Sequence, residues 1–520
     1  MNRSFRMVLI MGAAAVLMMS SACGRIGRIM PGSGGPATPT TVPVLTSTPV
    51  YHGQRPALQE EYQADLRELG DLPFYRLTVT LDPDKASYQG TLNLEYTNQE
   101  DSALGSLFFR LFPNGGKSYG GGKLAISRVD SQTREISGTS LSVQDSVLEV
   151  EFLEPLQSGE MVDLLLEFTG NIPRDFEGGG YGIFNSTETT VTLSGWYPLL
   201  AVYDQEGWNL DPVSGIGDSV YSDMAYYEVA VSVPAGWTVI GTGGLVEPGD
   251  WQDSSGSQRF VSGPARDFLL VAGAAYDSVS KQYQGVTVTS YFLPGHKVGG
   301  ERALQVTGEA LEIFHQVFGP YPYRELDVIE IPMRYAAGVE YPGVSLLSEN
   351  IYDSPGSSWF ATVAAHEAAH QWWYNLVGSD VIDEPWLDEA LTTYSSLLYF
   401  EELYGDTAYQ QMLAYYRGSY QSAVERNNDH PVGEDLRYFE SSQDRRQAYS
   451  PIVYSKGAVF FHELRERIGA EAFFSALHAY YNQNQYRIGT PEELLGAFEA
   501  SAGQELDGFY QQWLYSTHGE

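Results

Sequence analysis

Hydrophobic and polar residues alternate with a period of two along several stretches between residues 74 and 275. This alternation is typical of β-strands that bury one face. Clusters of Gly, Pro, Asn and Asp separate the stretches, and no internal repeat of fixed length is visible. We therefore predict one large antiparallel all-β domain, a sandwich or saddle, over residues 56–275. The alternating apolar positions are Leu77, Val79 and Leu81; Leu92, Leu94 and Tyr96; Leu148, Val150 and Phe152; and Val229, Val231 and Val233.

Helical periodicity replaces the strand pattern from about residue 300. A helix is predicted from Glu301 to Phe318, ended by Gly319 and Pro320, and a short apolar strand is predicted from Leu326 to Ile331. Beyond residue 355 the pattern is almost wholly helical. Residues 276–520 are therefore predicted to form a second domain, with a small β lobe and an α-helical lobe.

Start and stop signals beyond residue 355 predict where individual helices begin and end. The predicted signals are an N-cap at Ser357 or Ser358 with a stop at Gly378, a second helix from Pro385 to Gly405, a third opened by Ser450 and Pro451, and a fourth opened by a capping box of Thr490, Pro491 and Glu493.

Residues 1–22 predict an export signal, because Arg3 and Arg6 precede the apolar run Met7 to Met19 and small residues follow. Cys23 comes directly afterwards and is the only cysteine, so disulfides and other cysteine-based sites are excluded. This arrangement resembles a bacterial lipoprotein signal. The resemblance implies a lipid on Cys23 and an exported, extracytoplasmic protein anchored to the membrane at the bacterial cell surface. The alternative is an ordinary cleaved signal, or a retained anchor with an incidental cysteine.

Residues 23–55 are predicted to be a linker. The stretch from Pro31 to Val50 is rich in Pro, Gly, Ser and Thr and contains no charged residue. Such a segment cannot bury enough apolar surface to fold. It would hold the folded part away from a membrane or wall.

Charge and composition narrow the possible functions. The chain of 520 residues has 66 acidic and 30 basic residues, a formal net charge of −36 at pH 7. Such a field repels phosphate backbones, so nucleic acid is not an expected partner. With 43% hydrophobic residues, the chain is neither a disordered polymer nor a polytopic membrane protein. The sequence does not specify an oligomeric state.

A pair of histidines on a predicted helix forms the first candidate site. His366 and His370 are four residues apart, so they lie one turn apart on one helix face and both imidazoles can reach one ion. Glu367 is offset around the helix and can touch a water at the metal without occupying a ligand position. The alternative interpretation is two surface histidines.

The next predicted helix offers a third ligand, since Glu389 follows His370 after 18 intervening residues. Two nitrogens and one carboxylate leave a fourth position open, as hydrolytic zinc sites do. A metzincin is excluded, because Trp373 and Leu376 stand where that family needs Gly and His. Zinc is expected from the ligand types, although cobalt or manganese could bind the same site. Two other carboxylates stay open as the third ligand: Asp388 and Glu384.

The pattern His366-Glu367-x-x-His370, followed by Glu389 in a Trp-Leu-x-Glu context, resembles the aminopeptidase N family of zinc peptidases, the gluzincins. Two further stretches of the sequence agree with this resemblance. Ala337-Gly338-Val339-Glu340-Tyr341 is similar to the family's Gly-x-Met-Glu-Asn exopeptidase motif, and Tyr454-Ser455-Lys456-Gly457 resembles its Tyr-Glu-Lys-Gly.

The resemblance implies a thermolysin-like zinc-peptidase domain over residues 276–520 and a peptide substrate with a free N-terminus. It implies one Zn²⁺ per chain, bound by His366, His370 and Glu389. Glu367 would be the general base and Tyr454 would stabilise the oxyanion. In the exopeptidase motif, the substrate-binding residues would be Glu340, which binds the free amino group, and Gly338.

The sequence departs from the family pattern in several places. Val339 and Tyr341 replace the usual Met and Asn, which leaves the preference of the first substrate pocket undefined. The family's N-terminal-domain glutamine is not found, since the corresponding region reads Gly195-Trp196-Tyr197-Pro198. The sequence also stops where the helical catalytic part stops, so we expect a more open active site than in members with a C-terminal helical domain.

Three functions follow, and the first is an extracytoplasmic zinc aminopeptidase. The second is a related gluzincin endopeptidase or other zinc hydrolase with an open cleft. The third is a non-catalytic surface binding protein, which has no physical need for Glu367 beside three intact ligands.

Overall fold

The computed structural model describes residues 53–218, 220–246 and 257–517. The predicted signal peptide, Cys23 and the linker up to residue 52 lie outside the described residues. Within the described part, every helix is too short or too polar to cross a bilayer.

The first half of the described chain is built from strands. In chain order they are β1 Phe74–Asp82, β2 Ser87–Thr97, β3 Leu104–Arg110, β4 Lys123–Asp130, β5 Ile136–Ser142, β6 Val147–Leu156, β7 Met161–Asn171, β8 Phe184–Ser186, β9 Thr190–Leu193, β10 Leu199–Leu200, β11 Tyr203–Asp204, β12 Gly207–Trp208, β13 Tyr226–Ser232, β14 Thr238–Gly241, β15 Gly244–Leu245, β16 Gln258–Val261 and β17 Leu270–Gly273.

These strands form a seven-stranded sheet with the order β15-β16-β13-β1-β2-β7-β4 and two four-stranded sheets, β10-β3-β6-β5 and β14-β17-β9-β8. Their alternating apolar side chains share one core, which confirms the predicted strands. The antiparallel prediction is wrong for one pair in the large sheet, because β1 and β13 run parallel, with Leu77 opposite Val229. A long excursion of the chain separates these two strands, and only such a long connection permits parallel pairing.

A five-stranded sheet follows, made of β18 Asp277–Tyr283, β19 Val286–Phe292, β20 Glu325–Ile331, β21 Gly338–Tyr341 and β22 Val344–Ser348 in the order β18-β19-β20-β22-β21. The predicted strand at Leu326 to Ile331 is the central β20. Val328 packs into the helical core, whereas Ile329 packs into the core of the β-rich half. Strand β20 is buried on both faces between parallel partners, and its apolar residues alternate with the buried carboxylates Asp327 and Glu330.

Helices cover this sheet and fill the second half. In chain order the helices are α1 Asp65–Glu68, α2 Lys297–Val317, α3 Glu349–Tyr352, α4 Ser358–Ala369, α5 Pro385–Tyr404, α6 Asp406–Glu425, α7 Leu436–Glu440, α8 Gln443–Tyr449, α9 Gly457–Ile468, α10 Ala470–Asn484, α11 Pro491–Ala502 and α12 Asp507–Leu514, with a π-helical segment at Ser450–Lys456 and a short strand pair of β23 Val377–Gly378 and β24 Arg487–Ile488.

The fold class is thus the predicted one, a β-rich part followed by a small β lobe and a helical lobe. The described residues form one compact unit, so the domain division at 275/276 stays a prediction. The five-stranded sheet begins at Asp277, immediately after that boundary.

Most of the predicted helix ends are confirmed. Ser357 caps α4, with its Oγ accepting from the Phe360 N–H at 3.2 Å. Helix α5 begins at Pro385 and is capped by Gly405. Thr490 and Glu493 form the predicted capping box of α11.

Two helix predictions are wrong. Gly378 does not stop α4, which ends at Ala369, and instead lies in β23. A glycine is required there for another reason, since a Cβ at Gly378 would lie 2.2 Å from the guanidinium carbon of Arg266. Ser450 and Pro451 do not open a helix from a loop, because α8 already begins at Gln443 and the π-helical segment continues it.

Candidate metal centre

Helix α4 carries both predicted histidine ligands. His366 and His370 face each other, with their Nε2 atoms 3.2 Å apart and their rings nearly perpendicular at 88°. Helix α4 ends at this point, so His370 is its C-cap residue. The spacing of one turn therefore places two nitrogen donors together, as the sequence indicates.

Helix α5 brings Glu389 to the same place. Its Oε2 lies 3.2 Å from His366 Nε2 and 3.7 Å from His370 Nε2. One donor atom from each of these three residues lies within 4.8 Å of the others. The structure therefore brings together the three ligands predicted from the sequence.

The alternative ligands lie elsewhere. Asp388 Oδ1 is 2.7 Å from Nδ1 of His370, the ring nitrogen on the side opposite the histidine pair. A carboxylate charge in this position increases the basicity of the imidazole as a ligand, and the Trp373 carbonyl, 3.3 Å from the same Nδ1, orients the ring. Glu384 instead accepts a hydrogen bond from the indole N–H of Trp386 at 3.0 Å. A second grouping of Glu340, His370 and Asp388 is also compact. We favour the first grouping, because it joins two imidazole nitrogens to one carboxylate.

These residues fit a zinc ion. Burial lowers the pKa of His366 and of His370, which keeps the imidazoles neutral, the form that binds metal. The buried Oε2 atoms of Glu389 and Glu367 accept no hydrogen bond from the described residues. Two facing imidazole nitrogens and unpartnered carboxylate oxygens are what a divalent cation satisfies.

Glu367 lies beside the candidate ligands but points toward strand β21. A Cβ on Gly338 would lie only 2.3 Å from Glu367 Oε1, so the glycine is needed for the carboxylate to fit. The hydroxyl of Ser345 on β22 donates to the backbone carbonyl of Glu367 at 3.2 Å. Burial, followed by the charge of Glu389, raises the pKa of Glu367, as suits a base at neutral pH.

Glu340 projects from the edge strand β21 to the same centre. Its Oε2 lies 3.9 Å from His370 Nε2, and its side chain is 5% exposed. Burial, followed by the charge of Asp218, raises the pKa of Glu340. A carboxylate that approaches the ligands without joining their grouping is free to bind a substrate cation.

Tyr454 approaches from the π-helical segment. Its ring stacks on His366 at a centroid distance of 6.0 Å, and its hydroxyl donates to Glu389 Oε1. The wider turn accommodates Pro451, which has no N–H to donate. Single π turns inside helices are frequent at functional sites, where they redirect a side chain.

Three residues of the site were not predicted from the sequence. Asp218 comes from the loop between β12 and β13 and shares a side-chain hydrogen bond with Glu389. Tyr449 packs edge-on against Tyr454 at 5.7 Å. Gln371 follows the second histidine and donates a hydrogen bond to the Tyr341 carbonyl in strand β21. No motif marks Asp218 or Tyr449, whereas the position of Gln371 beside His370 was a usable signal.

The segment that replaces the family's glutamine is not in the site. Trp196 is fully buried in the β core, and its indole N–H donates to the Phe268 carbonyl at 3.0 Å. Tyr197 is also fully buried and accepts from the Phe268 N–H at 3.1 Å. This segment therefore supports the core and leaves the substrate side of the centre to other residues.

Comparison with known proteins gives a family match in the second half of the chain. Residues 302–513 match the peptidase family M1 domain. The chain is 28% identical over 305 residues to aminopeptidase M1 of Arabidopsis thaliana, covering 56% of this chain and 34% of that protein. It is 26% identical over 314 residues to aminopeptidase N of Streptomyces lividans, covering 56% and 35%. The chain thus spans about a third of the length of these relatives.

Solved structures agree in fold. An M1 zinc metallopeptidase from Deinococcus radiodurans has a TM-score of 0.64 at 21% identity, with 86% of this chain and 94% of that chain covered. A mutant of the Deinococcus radiodurans enzyme bound to a Tyr-Ser-Ala substrate has a TM-score of 0.63 at 21% identity, with 85% and 94% covered. At this identity the likeness concerns the fold. Together the matches confirm the resemblance to the aminopeptidase N family of zinc metallopeptidases.

Proposed function

We propose that this chain, whose residues 302–513 carry a family M1 metallopeptidase domain, is an exported zinc aminopeptidase that removes N-terminal residues from peptides. One observation carries the proposal. A compact His366, His370 and Glu389 grouping lies beside an unpartnered Glu367, with a second buried carboxylate, Glu340, 3.9 Å from a ligand nitrogen. Hydrolysis alone requires His366, His370, Glu389 and Glu367. The additional carboxylate of Glu340 suits a substrate with a free amino group.

One Zn²⁺ per chain would be held by His366, His370 and Glu389. When bound, zinc supplies a Lewis acid and lowers the pKa of water toward neutrality. Glu367 then accepts the proton of the attacking water and delivers it to the leaving nitrogen. This double role requires a carboxylate within hydrogen-bond reach of both atoms, with a pKa raised toward the working pH. Burial raises the pKa of Glu367 in that direction.

Tyr454 is the second residue of the chain that acts in the proposed reaction. Its hydroxyl, which donates to Glu389 in the described structure, would donate instead to the oxyanion that develops on the scissile carbonyl. Such a hydrogen bond forms fully only in the transition state, so it accelerates the reaction without tightening substrate binding. The ring contact with His366 supports this position of the hydroxyl.

Glu340 supplies the exopeptidase selectivity. A substrate's α-ammonium bound to this carboxylate fixes the distance from the free end to the scissile bond, so one residue is removed at a time. The substrate bound to the Deinococcus radiodurans mutant is the short peptide Tyr-Ser-Ala, which supports peptides as the substrate class.

Export and anchoring belong to the same proposal and rest on residues 1–23. The leader directs the chain out of the cytoplasm, and a lipid on Cys23 retains it at the membrane. In a bacterial host, the wild-type protein is expected in the membrane fraction and released by detergent. The variant Cys23→Ala is expected in the soluble extracytoplasmic fraction. Retention of that variant in the membrane would contradict the lipid anchor.

The activity is tested with fluorogenic Ala, Leu and Arg amides, each free and N-acetylated. The zinc-loaded wild type is expected to cleave only the free-amine forms, and Glu340→Gln to lose most of this selectivity while keeping its zinc. The control is Glu402→Gln, an exposed position on α5. Cleavage of acetylated amides by the wild type would favour the open-cleft endopeptidase. If the zinc-loaded wild type cleaves none of these substrates and no longer peptide, the result would favour the non-catalytic surface binding protein.

A further inference from the structure

A small cavity with an acidic side lies directly beside Glu340. Its volume is about 20 Å³, which is room for one group the size of a water molecule. Segments distant in the sequence meet around it, from the β-rich half and from the catalytic half. The lining side chains that matter here are Asp218, Asp267, Glu340 and Tyr374.

Three of the lining side chains are carboxylates, and one of them has a buried oxygen without a hydrogen-bond partner among the described residues. Asp267 is 4% exposed, and its buried Oδ1 accepts no hydrogen bond from the described residues. The neighbouring Arg266 does not satisfy it, because the guanidinium donates to three backbone carbonyls, those of Tyr374, Ser222 and Arg487. A buried carboxylate oxygen without a donor is costly unless a ligand supplies one.

Tyr374 forms a wall of the cavity in a strained conformation. Its φ is +85°, in the left-handed region that a bulky side chain rarely adopts. Its carbonyl accepts from Arg266 Nε at 2.6 Å, and its hydroxyl donates to the carbonyl of Val220, in the loop that also carries Asp218. Strained residues of this kind persist where the surroundings hold them, and they concentrate at ligand sites. The cavity is therefore held open by specific bonds from both halves.

The charge and hydrogen-bonding capacity of the lining side chains indicate which ligand fits the cavity. Carboxylates accept hydrogen bonds and repel anions, so the fitting group is a cation with several N–H donors. The oxygens of Asp218, Asp267 and Glu340 do not form one of the compact groupings that could hold a metal ion among the described residues. A primary ammonium offers three donors in the volume of one water. It can bond separate carboxylates that are too far apart to coordinate one ion.

We propose that Asp218 and Asp267 complete the ammonium site of Glu340, so that a substrate's free N-terminus is bound by carboxylates from both halves of the chain. The proposal rests on the proposed function and deepens it. The β-rich half then contributes directly to substrate selection. It does so through acidic residues in two loops, and the segment Gly195 to Pro198 takes no part.

Binding to an inactive protein tests this proposal most directly. The parent is zinc-loaded Glu367→Gln, which retains the site but hydrolyses peptide slowly, and the ligands are Leu-Ala and N-acetyl-Leu-Ala, measured by isothermal titration calorimetry. Adding Asp218→Asn or Asp267→Asn is expected to raise the Kd of Leu-Ala about tenfold or more, since each change removes a charge-assisted hydrogen bond. The Kd of the acetylated dipeptide is expected to stay unchanged.

The matched control is Asp223→Asn, an exposed aspartate near Asp218 that does not line the cavity. If Asp267→Asn does not fold, the Kd values of Asp218→Asn and Asp218→Ala for Leu-Ala test the inference instead. A parent that prefers Leu-Ala, with both aspartate variants binding it as the parent does, overturns this inference and leaves the aminopeptidase intact. A parent that binds both dipeptides equally overturns the inference together with the proposed function.

Discussion

Gln371 joins the end of the histidine helix to the strand that carries Glu340: its Nε2 donates to the Tyr341 carbonyl at 3.0 Å. The same side chain accepts from the Gly343 N–H through Oε1 at 2.9 Å. One buried amide thus bonds both sides of the turn between β21 and β22. This fixes the distance between His370, which precedes Gln371, and Glu340, which precedes Tyr341.

Replacing Gln371 with Met is expected to loosen that turn without removing a ligand. The loss of two buried hydrogen bonds should lower the free energy of unfolding by about 1–3 kcal/mol. The KM for free-amine substrates should rise more than kcat falls, because Glu340 is displaced, and the zinc content should not change. Steady-state kinetics and metal analysis check this, with the exposed Gln411→Met as control. A loss of zinc would instead assign Gln371 to support of the metal ligands.

Asp388 is expected to support His370 at Nδ1, the ring nitrogen on the side opposite the histidine pair. Asp388→Asn keeps the shape of the side chain but removes the charge 2.7 Å from Nδ1. Zinc affinity should fall by about 10–100-fold, as is common for carboxylates behind a histidine ligand. Competition with a chelator of known affinity measures it, and exposed Asp353→Asn is the control. Unchanged affinity would show that Asp388 is only a core residue.

Lys456 ties the segment of Tyr454 to the end of the described chain. Its buried Nζ donates to Asp429 Oδ1 at 3.0 Å, to the His430 carbonyl at 2.8 Å and to the Ser516 carbonyl at 3.1 Å. Lys456→Met breaks a buried ion pair and should lower the free energy of unfolding by about 3–5 kcal/mol. Urea denaturation measures the change. The exposed Lys297→Met should have little effect, and an equal loss in both variants would refute the role of Lys456.

Asp267 makes stability depend on pH in a definite direction. Burial raises its pKa from 3.8 to about 7. The folded state therefore holds this proton more tightly than the unfolded state, so the stabilising effect is full below about pH 4 and is lost as the pH rises through 7. Relative to wild type, Asp267→Asn should gain stability between pH 5 and pH 8, by roughly 3 kcal/mol. Denaturation of both proteins at the two pH values measures this, and a difference that is independent of pH would contradict it.

The candidate metal grouping could be predicted in part from local geometry. The arrangement of His366, Glu367 and His370 follows from helix periodicity, whereas Glu389 was selected among three carboxylates near the start of the next helix by the family resemblance. The strands of the first half were predictable for the same reason, since each buries one face. The histidine pair on α4 and each of these strands need only the residues within one element.

The remaining features depend on contacts between distant segments. Asp218 and Asp267 belong to loops that no short motif marks, and only the fold brings them to Glu340. Gly378 suggested a helix stop, but the approach of Arg266 explains the glycine. The π-helical segment around Tyr454 was also not predictable, because Pro451 equally suits the first turn of an ordinary helix.

The most direct test of the central claim compares the wild type with Glu367→Gln on free Leu and Ala amides at equal zinc content. The account predicts that the variant keeps its metal and its affinity for a free dipeptide but loses about 10²–10⁴-fold in kcat, the range expected when a general base is removed. The exposed Glu402→Gln should behave as wild type. A zinc-loaded Glu367→Gln protein that hydrolyses these amides at the wild-type rate would contradict the account.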